Sequence, residues 1–266
     1  MDVKVYWDRI GFSSRKGETM LEQLIRLHRC HIMSIPFENF NPFCRVPVSL
    51  DIESIFRKVI HNQRGGYCFE LNQLFQVLLE EMGYTTMAVF CRPFSGEGVK
   101  LPLTHRMTVV YLDGQVWLCD IGLGGNCWIE PLLLDTKIEQ PQFGRIYTIK
   151  EEEGEYLIEW KKGSVQVKAL SFRLSAAVES DFVMSNYYTS THIDSPFVNR
   201  IMCMLPGTAE RYSIRDNRFR KEKGEHIAEL ILTEDNIEKV LKEYFHIELD
   251  AEMFVPVKNY LRKFQH

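Results

Sequence analysis

The sequence predicts an α+β protein with an N-terminal helical bundle, a central β-barrel and a C-terminal α/β lid. Three observations predict this order. Apolar residues recur at helical spacing in the first third of the 266-residue chain, β-branched and aromatic residues dominate the middle, and strands mix with a helix in the last part. We therefore divide the chain into a bundle at 1–84, a barrel at 85–185 and a lid at 186–266.

Helix signals organise the first segment. Thr19 opens a capping box, and the apolar positions that follow it at helical spacing end at Pro36. A second helix is expected to begin near residues 49–51. A third helix, rich in leucine and phenylalanine, closes at Gly83, which is the residue type that most often follows the end of a helix.

The rest of the chain alternates strand and turn signals. The predicted strands of the barrel besides the hairpin discussed below are Thr85–Cys91, Tyr147–Lys150, Tyr156–Trp160 and Val165–Phe172. In the lid we expect a strand from Ile227 to Leu232 and a helix capped by Thr233. Such a set of short strands is typical of a small barrel with a mixed C-terminal segment.

Cys68 follows the glycine pair Gly65-Gly66 and opens the third helix. In the first turn of a helix, unpaired backbone N–H groups and the helix dipole stabilise a thiolate, which is the reactive form of cysteine. A buried, inert cysteine is the alternative, because free cysteine is among the most buried residue types. Taken alone, the position of Cys68 is compatible with a reactive thiolate and with an inert, buried cysteine.

A β-hairpin supplies two further candidate residues. The strand that contains His105 leads to Asp113-Gly114, the strongest short-range signal for a two-residue turn, and the returning strand ends at Asp120. The turn predicts three cross-strand pairs: Leu112 with Gln115, Val110 with Trp117, and Met107 with Asp120. Since side chains alternate between faces, His105 and Asp120 are diagonal neighbours on one face, with backbones about 7–8 Å apart.

These three residue types together point to covalent acyl transfer. His105 would accept the thiol proton of Cys68, and Asp120 would fix the tautomer of the histidine and stabilise the imidazolium. Each residue also has a structural interpretation: a strand histidine bonded to a carbonyl, or an aspartate that caps the next turn. The occurrence of all three in this layout favours a catalytic triad.

The sequence around these residues resembles the arylamine N-acetyltransferase family. The matching blocks are IPFEN at 35–39, RGGYCFELN at 64–72, THRM at 104–107, DIGLGG at 120–125 and STHIDSPF at 190–197. They occur in the family's order and span most of the chain up to Arg200. The resemblance implies a ping-pong reaction in which acetyl-coenzyme A acetylates Cys68, coenzyme A leaves, and an arylamine, a hydrazine or an arylhydroxylamine takes the acetyl group.

The resemblance also implies site residues. By position, the family's catalytic residues fall on Cys68, His105 and Asp120 without substitution. Its substrate-lining aromatic positions fall on Phe37 and Phe197. A third lining position, often phenylalanine in the family, is Leu123 in this chain.

Three residues beside the triad are candidates for binding the coenzyme. Gly124 and Gly125 follow Asp120 closely, and glycines permit a close backbone approach, so that exposed N–H groups could hold a pyrophosphate. A tight turn leaving the strand is the alternative. Thr104, next to His105, is the third candidate. We also expect an ion pair between Glu38 and Arg64 that ties the IPFEN block to the nucleophile loop.

Composition excludes several classes of protein. The net charge of −4 and the lack of a dominant basic patch argue against nucleic acid as a partner. The modestly basic segment from Arg215 to Lys223 is better interpreted as a solvated strand and turn, although it could help to hold anionic phosphates. Seven cysteines without C-x-x-C spacing argue against a disulfide framework or a zinc site, so no metal is expected.

The sequence also indicates a cellular compartment. Lys4, Asp8 and Arg9 interrupt any apolar run of a signal peptide, and the chain has no apolar stretch long enough to span a bilayer. We expect no membrane association and a cytoplasmic protein, because a reducing compartment keeps Cys68 available. The oligomeric state stays open.

Two other functions are compatible with the same residues. A thiol hydrolase, either a cysteine peptidase or a transglutaminase-like enzyme, would use the same triad, and a helical unit that donates Cys while a β unit donates His and Asp is a papain-like arrangement. A non-catalytic binding module would have an unreactive Cys68. The expected partners of the leading hypothesis are coenzyme A and small aromatic amines or hydrazines.

Overall fold

The computed structural model describes residues 1–264, and helices form its N-terminal part. The elements there are α1 (Val3–Ile10), α2 (Met20–Ser34), the two-residue strand β1 (Phe37–Glu38), α3 (Phe40–Phe43), α4 (Ile52–Phe56) and α5 (Cys68–Glu81). A π-helical turn at Arg57–His61 continues α4. The buried sides of the longer helices share one apolar core, which includes Tyr6, Leu24 and Phe75.

The helix signals in the sequence are confirmed at these termini. Thr19 and Glu22 form the full capping box at the start of α2, which ends at Ser34, two residues before Pro36. Asp51 caps α4 by accepting from the amide of Ser54. Gly83 follows α5 with a φ of 87°, in the left-handed region that favours glycine.

An eight-stranded antiparallel sheet curls into a nearly closed barrel, as predicted. Its strands in chain order are β2 (Thr85–Pro93), β3 (His105–Leu112), β4 (Gln115–Cys119), β5 (Leu132–Leu133), β6 (Gln140–Gln142), β7 (Arg145–Glu152), β8 (Glu155–Lys162) and β9 (Val165–Phe172). In space the order is β5-β4-β3-β2-β9-β8-β7-β6. Inward side chains such as Val89, Leu118 and Trp128 form the core of the barrel.

The β3–β4 hairpin has the predicted register. Leu112 pairs with Gln115 and Val110 with Trp117, across a turn in which Asp113 and Gly114 have φ angles of 51° and 72°. Positive φ at both central residues is what a type I′ turn requires. The ladder ends at the pair Thr108 and Cys119, so the predicted pair of Met107 with Asp120 lies one position beyond the last strand pair.

The C-terminal part combines a second sheet with helices. Its elements are α6 (Glu179–Thr191), α7 (Pro196–Asn199), β10 (Met202–Leu205), β11 (Glu210–Arg215), β12 (Arg218–Lys223), β13 (His226–Ile231), α8 (Ile237–Val240) and α9 (Ala251–Arg262). The sheet order is β1-β10-β11-β12-β13. One face of this sheet packs on α8 and α9 through residues such as Ile214, Phe219 and Val257.

Thr233 does not cap the C-terminal helix, and that prediction was wrong. The helix begins at Ile237 after Asn236, whose side-chain oxygen accepts from the amide of Thr233. Residues 233–236 form a turn instead, because the amide of Ile237 donates back to the carbonyl of Thr233.

The division into three segments stays a prediction. The strand β1 from the first segment pairs with β10, and α6 extends on both sides of residue 185. No helix within residues 1–264 combines the length and the apolar character that a bilayer span requires.

Candidate active site

Cys68 is the first residue of α5 and is 2 % exposed. The helix starts there because Glu70 reaches back to accept from the amide of Tyr67, which is the N-cap residue, at 3.1 Å. As the first helical residue, Cys68 has a backbone N–H that no carbonyl of the helix satisfies. Its sulfur lies 3.7 Å from the carbonyl oxygen of Thr104, which precedes β3. The nucleophile loop and the β3 strand therefore meet at this sulfur.

His105 and Asp120 form a buried, charged hydrogen bond. His105 Nε2 donates to Asp120 Oδ2 at 2.6 Å, and the two residues are 3 % and 0 % exposed. Burial alone would lower the pKa of His105, but the Asp120 carboxylate, together with Cys68, raises it to about 10. Because Nε2 faces Asp120, Nδ1 is the ring nitrogen left to serve Cys68. The structure thus brings the three predicted catalytic residues together.

Asn72 links Asp120 to the helix that carries Cys68. It lies one turn after Cys68 on α5, and its amide nitrogen donates to Asp120 Oδ1 at 2.9 Å and to the Arg106 carbonyl at 2.6 Å. Its side-chain oxygen accepts from the amide of Ile121 at 3.0 Å. Asp120 Oδ1 also accepts from the amide of Gly122, so both oxygens of this buried carboxylate are satisfied.

His28 holds the backbone of Asp120 from the other side. The Asp120 amide donates to His28 Nε2 at 3.1 Å, while His28 Nδ1 donates to the carbonyl of Ile129 at 2.9 Å. Full burial lowers the pKa of His28 to about 4, so the ring is neutral at pH 7 and has one donor and one acceptor nitrogen. Both ring nitrogens of His28 therefore have a hydrogen-bond partner.

At Gly122, the loop after β4 passes very close to Cys68. A Cβ atom at this position would lie 2.7 Å from Cys68 Cα and 2.9 Å from Asn72 Nδ2. Both distances are shorter than any ordinary contact, so only glycine fits without movement of the site. Gly122, the first glycine of the DIGLGG block, is therefore required by the approach of α5 to the barrel.

The IPFEN and RGGYCFELN blocks are joined directly. The amide of Glu38 donates to the carbonyl of Gly66, and Arg64 makes the predicted ion pair with Glu38 at 2.7 Å. Gly65 is needed because a Cβ there would lie 2.1 Å from the Pro36 carbonyl oxygen. This contact places Phe37 beside the nucleophile loop.

Asn39 positions the second aromatic residue of the site. Its amide nitrogen donates to the carbonyls of Phe197 and Arg200, each at 2.7 Å, and its oxygen accepts from the amide of Met202. The rings of Phe37 and Phe197 are consequently close, with centroids 6.2 Å apart. Two segments that are 160 positions apart in the chain thus present one aromatic surface.

A cavity of about 410 Å³ opens at Cys68 and His105. The predicted substrate residues Phe37, Leu123 and Phe197 all line it. Other lining residues are Phe94, Leu101, Pro102, Tyr188, Met202, Met204 and Arg215. A larger cavity, of about 700 Å³, lies beyond the Glu38–Arg64 pair and is lined by neither Cys68 nor His105. The predicted catalytic residues Cys68 and His105 therefore line the smaller, more apolar cavity, which is the candidate substrate site.

The predicted coenzyme residues Thr104, Gly124 and Gly125 also line the 410 Å³ cavity. Several amides of the glycine loop are engaged within the protein, however. The Leu123 amide donates to Cys127 Sγ, and the Gly125 amide to Met204 Sδ. The loop therefore offers a phosphate fewer free N–H groups than its glycines suggested, and the role of Thr104, Gly124 and Gly125 stays a prediction.

Within the described residues 1–264, no group of three or more His, Cys, Asp or Glu side chains is arranged to hold a metal ion.

Comparison with known proteins defines the class of enzyme. The sequence model of the N-acetyltransferase family matches residues 20–254, which is most of the chain. Arylamine N-acetyltransferase 2 of Rattus norvegicus is 29% identical to this chain over 286 residues. The match covers 95% of this chain and 96% of the rat protein. The chain therefore belongs to the arylamine N-acetyltransferase family, and the resemblance seen in the sequence is confirmed.

Two further comparisons concern activity and fold. The Salmonella typhimurium arylamine N-acetyltransferase / N-hydroxyarylamine O-acetyltransferase is 28% identical over 221 residues, which are 82% of this chain and 79% of that protein. The structure of the Mycobacterium marinum arylamine N-acetyltransferase in complex with CoA superposes with a TM-score of 0.91 at 24% identity, over 98% of this chain and 99% of that chain. The predicted fold class is confirmed by this likeness.

Proposed function

We propose that this enzyme transfers an acetyl group from acetyl-coenzyme A to the nitrogen of an arylamine or a hydrazine, or to an arylhydroxylamine, through a thioester on Cys68. The observation that carries the proposal is the hydrogen-bonded pair of His105 and Asp120 beside the Cys68 sulfur, at one end of an apolar cavity. The names of the rat and Salmonella relatives support the acceptor classes.

Before the first half-reaction, the proton of the Cys68 thiol resides on His105, so that Cys68 is a thiolate beside the imidazolium, and in this half-reaction the sulfur attacks the thioester carbonyl carbon. The carbonyl oxygen becomes an oxyanion, for which the Cys68 amide is one donor. When the tetrahedral intermediate collapses, the bond to the coenzyme sulfur breaks, and the coenzyme thiolate takes the proton from His105. As long as His105 carries the proton, Asp120 stabilises the imidazolium, which the raised pKa of His105 reflects.

In the second half-reaction, the amine nitrogen attacks the acetyl carbonyl carbon of the Cys68 thioester. His105 accepts the proton that the nitrogen loses, the carbon–sulfur bond breaks, and the amide product leaves. Cys68 returns as a thiolate beside protonated His105, ready for the next donor. The aromatic surface of Phe37 and Phe197 suits a planar acceptor ring.

The donor is acetyl-coenzyme A, for which Thr104, Gly124 and Gly125 are the proposed contacts. The Mycobacterium marinum structure in complex with CoA has the same fold, which supports a coenzyme cleft at this site. We also propose a cytoplasmic location, because all seven cysteines are free thiols and Cys68 must stay reduced to react.

Intact-mass spectrometry tests the covalent step. After mixing with acetyl-coenzyme A, we expect one added acetyl group that peptide mapping assigns to Cys68. The adduct should persist until an arylamine is added and then disappear with formation of the N-acetyl product. Cys30→Ala is a matched control, since Cys30 is a partly exposed cysteine on α2 and its loss should leave the adduct intact.

Two results would contradict the proposal. An acetyl adduct of unchanged yield in Cys68→Ala would exclude Cys68 as the carrier. Rapid loss of the adduct to water, with no transfer to any amine, would favour the thiol hydrolase instead.

A further inference from the structure

Arg215 is an exposed residue that lines the cavity and brings a positive charge to it. It is the last residue of β11 and pairs across the sheet with Met202, whose side chain also lines the cavity. Met204, two positions along β10, lines the cavity as well, so this face of the second sheet forms one wall. Arg215 is therefore part of the wall that this sheet contributes to the cavity.

The charge balance of the lining sets Arg215 apart. Within residues 1–264, Arg215 is the one lysine or arginine that lines this cavity, and it has no salt bridge or side-chain hydrogen bond to any other described residue. Of the two other charged lining residues, His105 is held by Asp120, and Asp194 lies 3.8 Å from His192. Neither forms a salt bridge with Arg215.

Two further arginines lie near the cavity, and the first of them has Glu222 opposite it in the β11–β12 ladder. Arg211 lies on the same face of β11, and both of its terminal nitrogens are buried without a hydrogen-bond partner among the described residues. Arg145 donates to the carbonyl of Gly125 at 2.9 Å, next to the cavity. Arg218, opposite Arg215 in the β11–β12 hairpin, differs because it has an acidic neighbour, Glu229, at 3.6 Å.

We propose that Arg215 pairs with an anionic oxygen group of a substrate bound in the cavity, a carboxylate or a phosphate, and so determines substrate specificity. A guanidinium presents two parallel N–H donors that match such a group. Two sources supply this chemistry: a carboxylate on the aromatic acceptor, or a phosphate of the coenzyme. The inference rests on the proposed function.

A ping-pong enzyme separates the two sources, because kcat/KM for each substrate reports only its own half-reaction. One pair of probes is 4-aminobenzoate and its neutral analogue 4-aminobenzamide, as acceptors. The other pair is acetyl-coenzyme A and the phosphate-free thioester S-acetyl-N-acetylcysteamine, as donors. The ratio of kcat/KM within each pair is the measurement.

In Arg215→Gln, we expect one of the two ratios to fall about 10- to 100-fold, the range of a hydrogen bond to a charged group. A fall in the acceptor ratio assigns Arg215 to the carboxylate, and a fall in the donor ratio assigns it to a coenzyme phosphate. Arg215→Lys should recover part of the loss. Arg218→Gln is the matched control and should leave both ratios unchanged.

Two outcomes would overturn the inference while the proposed function stands. One is that both ratios in Arg215→Gln stay within about twofold of the wild-type values. The other is an equal effect of Arg218→Gln, which would indicate a long-range field rather than contact. If the wild-type enzyme acetylates neither acceptor and forms no acetyl-enzyme, the proposed function itself fails. Melting temperatures of all variants show whether the fold is retained.

Discussion

The side-chain amide of Asn72 donates a hydrogen bond of 2.9 Å to Asp120, so the helix that begins at Cys68 also holds the carboxylate that orients His105. The nucleophile and the support of its base are one helical turn apart on α5. Rigid-body movement of this helix relative to the barrel would therefore disturb both together. The geometry of the site depends on this docking and not only on the hairpin that carries His105 and Asp120.

Replacement of Asn72 tests this dependence. Asn72→Ala removes the donor to Asp120 and leaves the amide of Ile121 without its acceptor, in a fully buried place. We expect kcat/KM for acetyl-coenzyme A to fall about 10- to 100-fold, as for other supporting residues of a site, and stability to fall by about 1–3 kcal/mol. Steady-state kinetics and urea unfolding measure the two effects.

Gln73→Ala is the control for Asn72→Ala. Gln73 is the next residue of α5, and its amide donates to the carbonyl of Leu50, outside the site, at 3.0 Å. Its replacement should cost stability with little change in rate. Wild-type rates in a folded Asn72→Ala enzyme would show that Asp120 needs no support from α5.

A second prediction concerns the close passage at Gly122. In Gly122→Ala the new methyl group would lie 2.7 Å from Cys68 Cα, so α5 and the loop must move apart. We expect a loss of about 1–3 kcal/mol, as for other overpacked sites, and slower acetylation of Cys68. Thermal unfolding and stopped-flow acetylation measure these effects.

Gly96→Ala provides the comparison for Gly122→Ala. A Cβ at Gly96 would have no atom within 4 Å, and its φ is not positive. This variant should match the wild-type protein in both assays. Equal behaviour of the two alanine variants would mean that the approach of Gly122 to Cys68 is looser than the structure indicates.

Local patterns were enough to predict the centre of the site. The turn at Asp113-Gly114 and the alternation of strand side chains set the register that brings His105 near Asp120, and the glycine pair before an apolar helix located Cys68 at a helix start. These features depend on residues within about 20 positions of one another, which is the range over which turn chemistry and periodicity act.

The supporting contacts could not be predicted in this way. Asn72 meets Asp120 over 48 positions, and His28 meets it over 92. In the sequence, Asn72 is one residue of the RGGYCFELN block and His28 is one residue of a helical segment, and no local pattern indicates either contact. The pairing of β1 with β10 is equally remote, and two residues carry too little β propensity to be recognised as a strand. Such contacts form only when the N-terminal helices, the barrel and the second sheet pack against one another, and local sequence patterns do not encode them.

The raised pKa of His105 predicts a loss of stability in alkaline solution. The folded protein keeps the His105 proton up to about pH 10, whereas an unfolded histidine loses it near pH 6.5. The contribution of protonated His105 to the free energy of unfolding is therefore complete below pH 6.5 and is lost as the pH rises towards 10. We expect the stability difference between wild-type and His105→Gln to shrink by up to about 5 kcal/mol across this range.

Urea unfolding at intervals from pH 6.5 to 10 measures this difference. His226→Gln is the control for the substitution itself, because it replaces an exposed histidine on β13, in the second sheet. A difference between wild-type and His105→Gln that stays constant with pH would show that Asp120 does not hold the imidazolium.

The lowered pKa of His28 predicts the opposite dependence in acid. Because His28 is neutral in the folded protein down to about pH 4, the unfolded chain takes up a proton first, near pH 6.5. The contribution of the neutral ring is complete above pH 6.5 and is lost as the pH falls towards 4, by up to about 3 kcal/mol. Buried His31, whose pKa burial also lowers, adds a separate loss in the same direction.

His28→Gln isolates the first of these contributions. Without the titrating ring, urea unfolding between pH 6.5 and 4 should show a shallower loss of stability than the wild-type protein, and His226→Gln is again the control for the substitution itself. At pH 7.5 the variant should also acetylate Cys68 more slowly, since the Asp120 amide loses the His28 acceptor. An acid slope in His28→Gln as steep as that of the wild-type protein would show that His28 is not held neutral between Asp120 and Ile129.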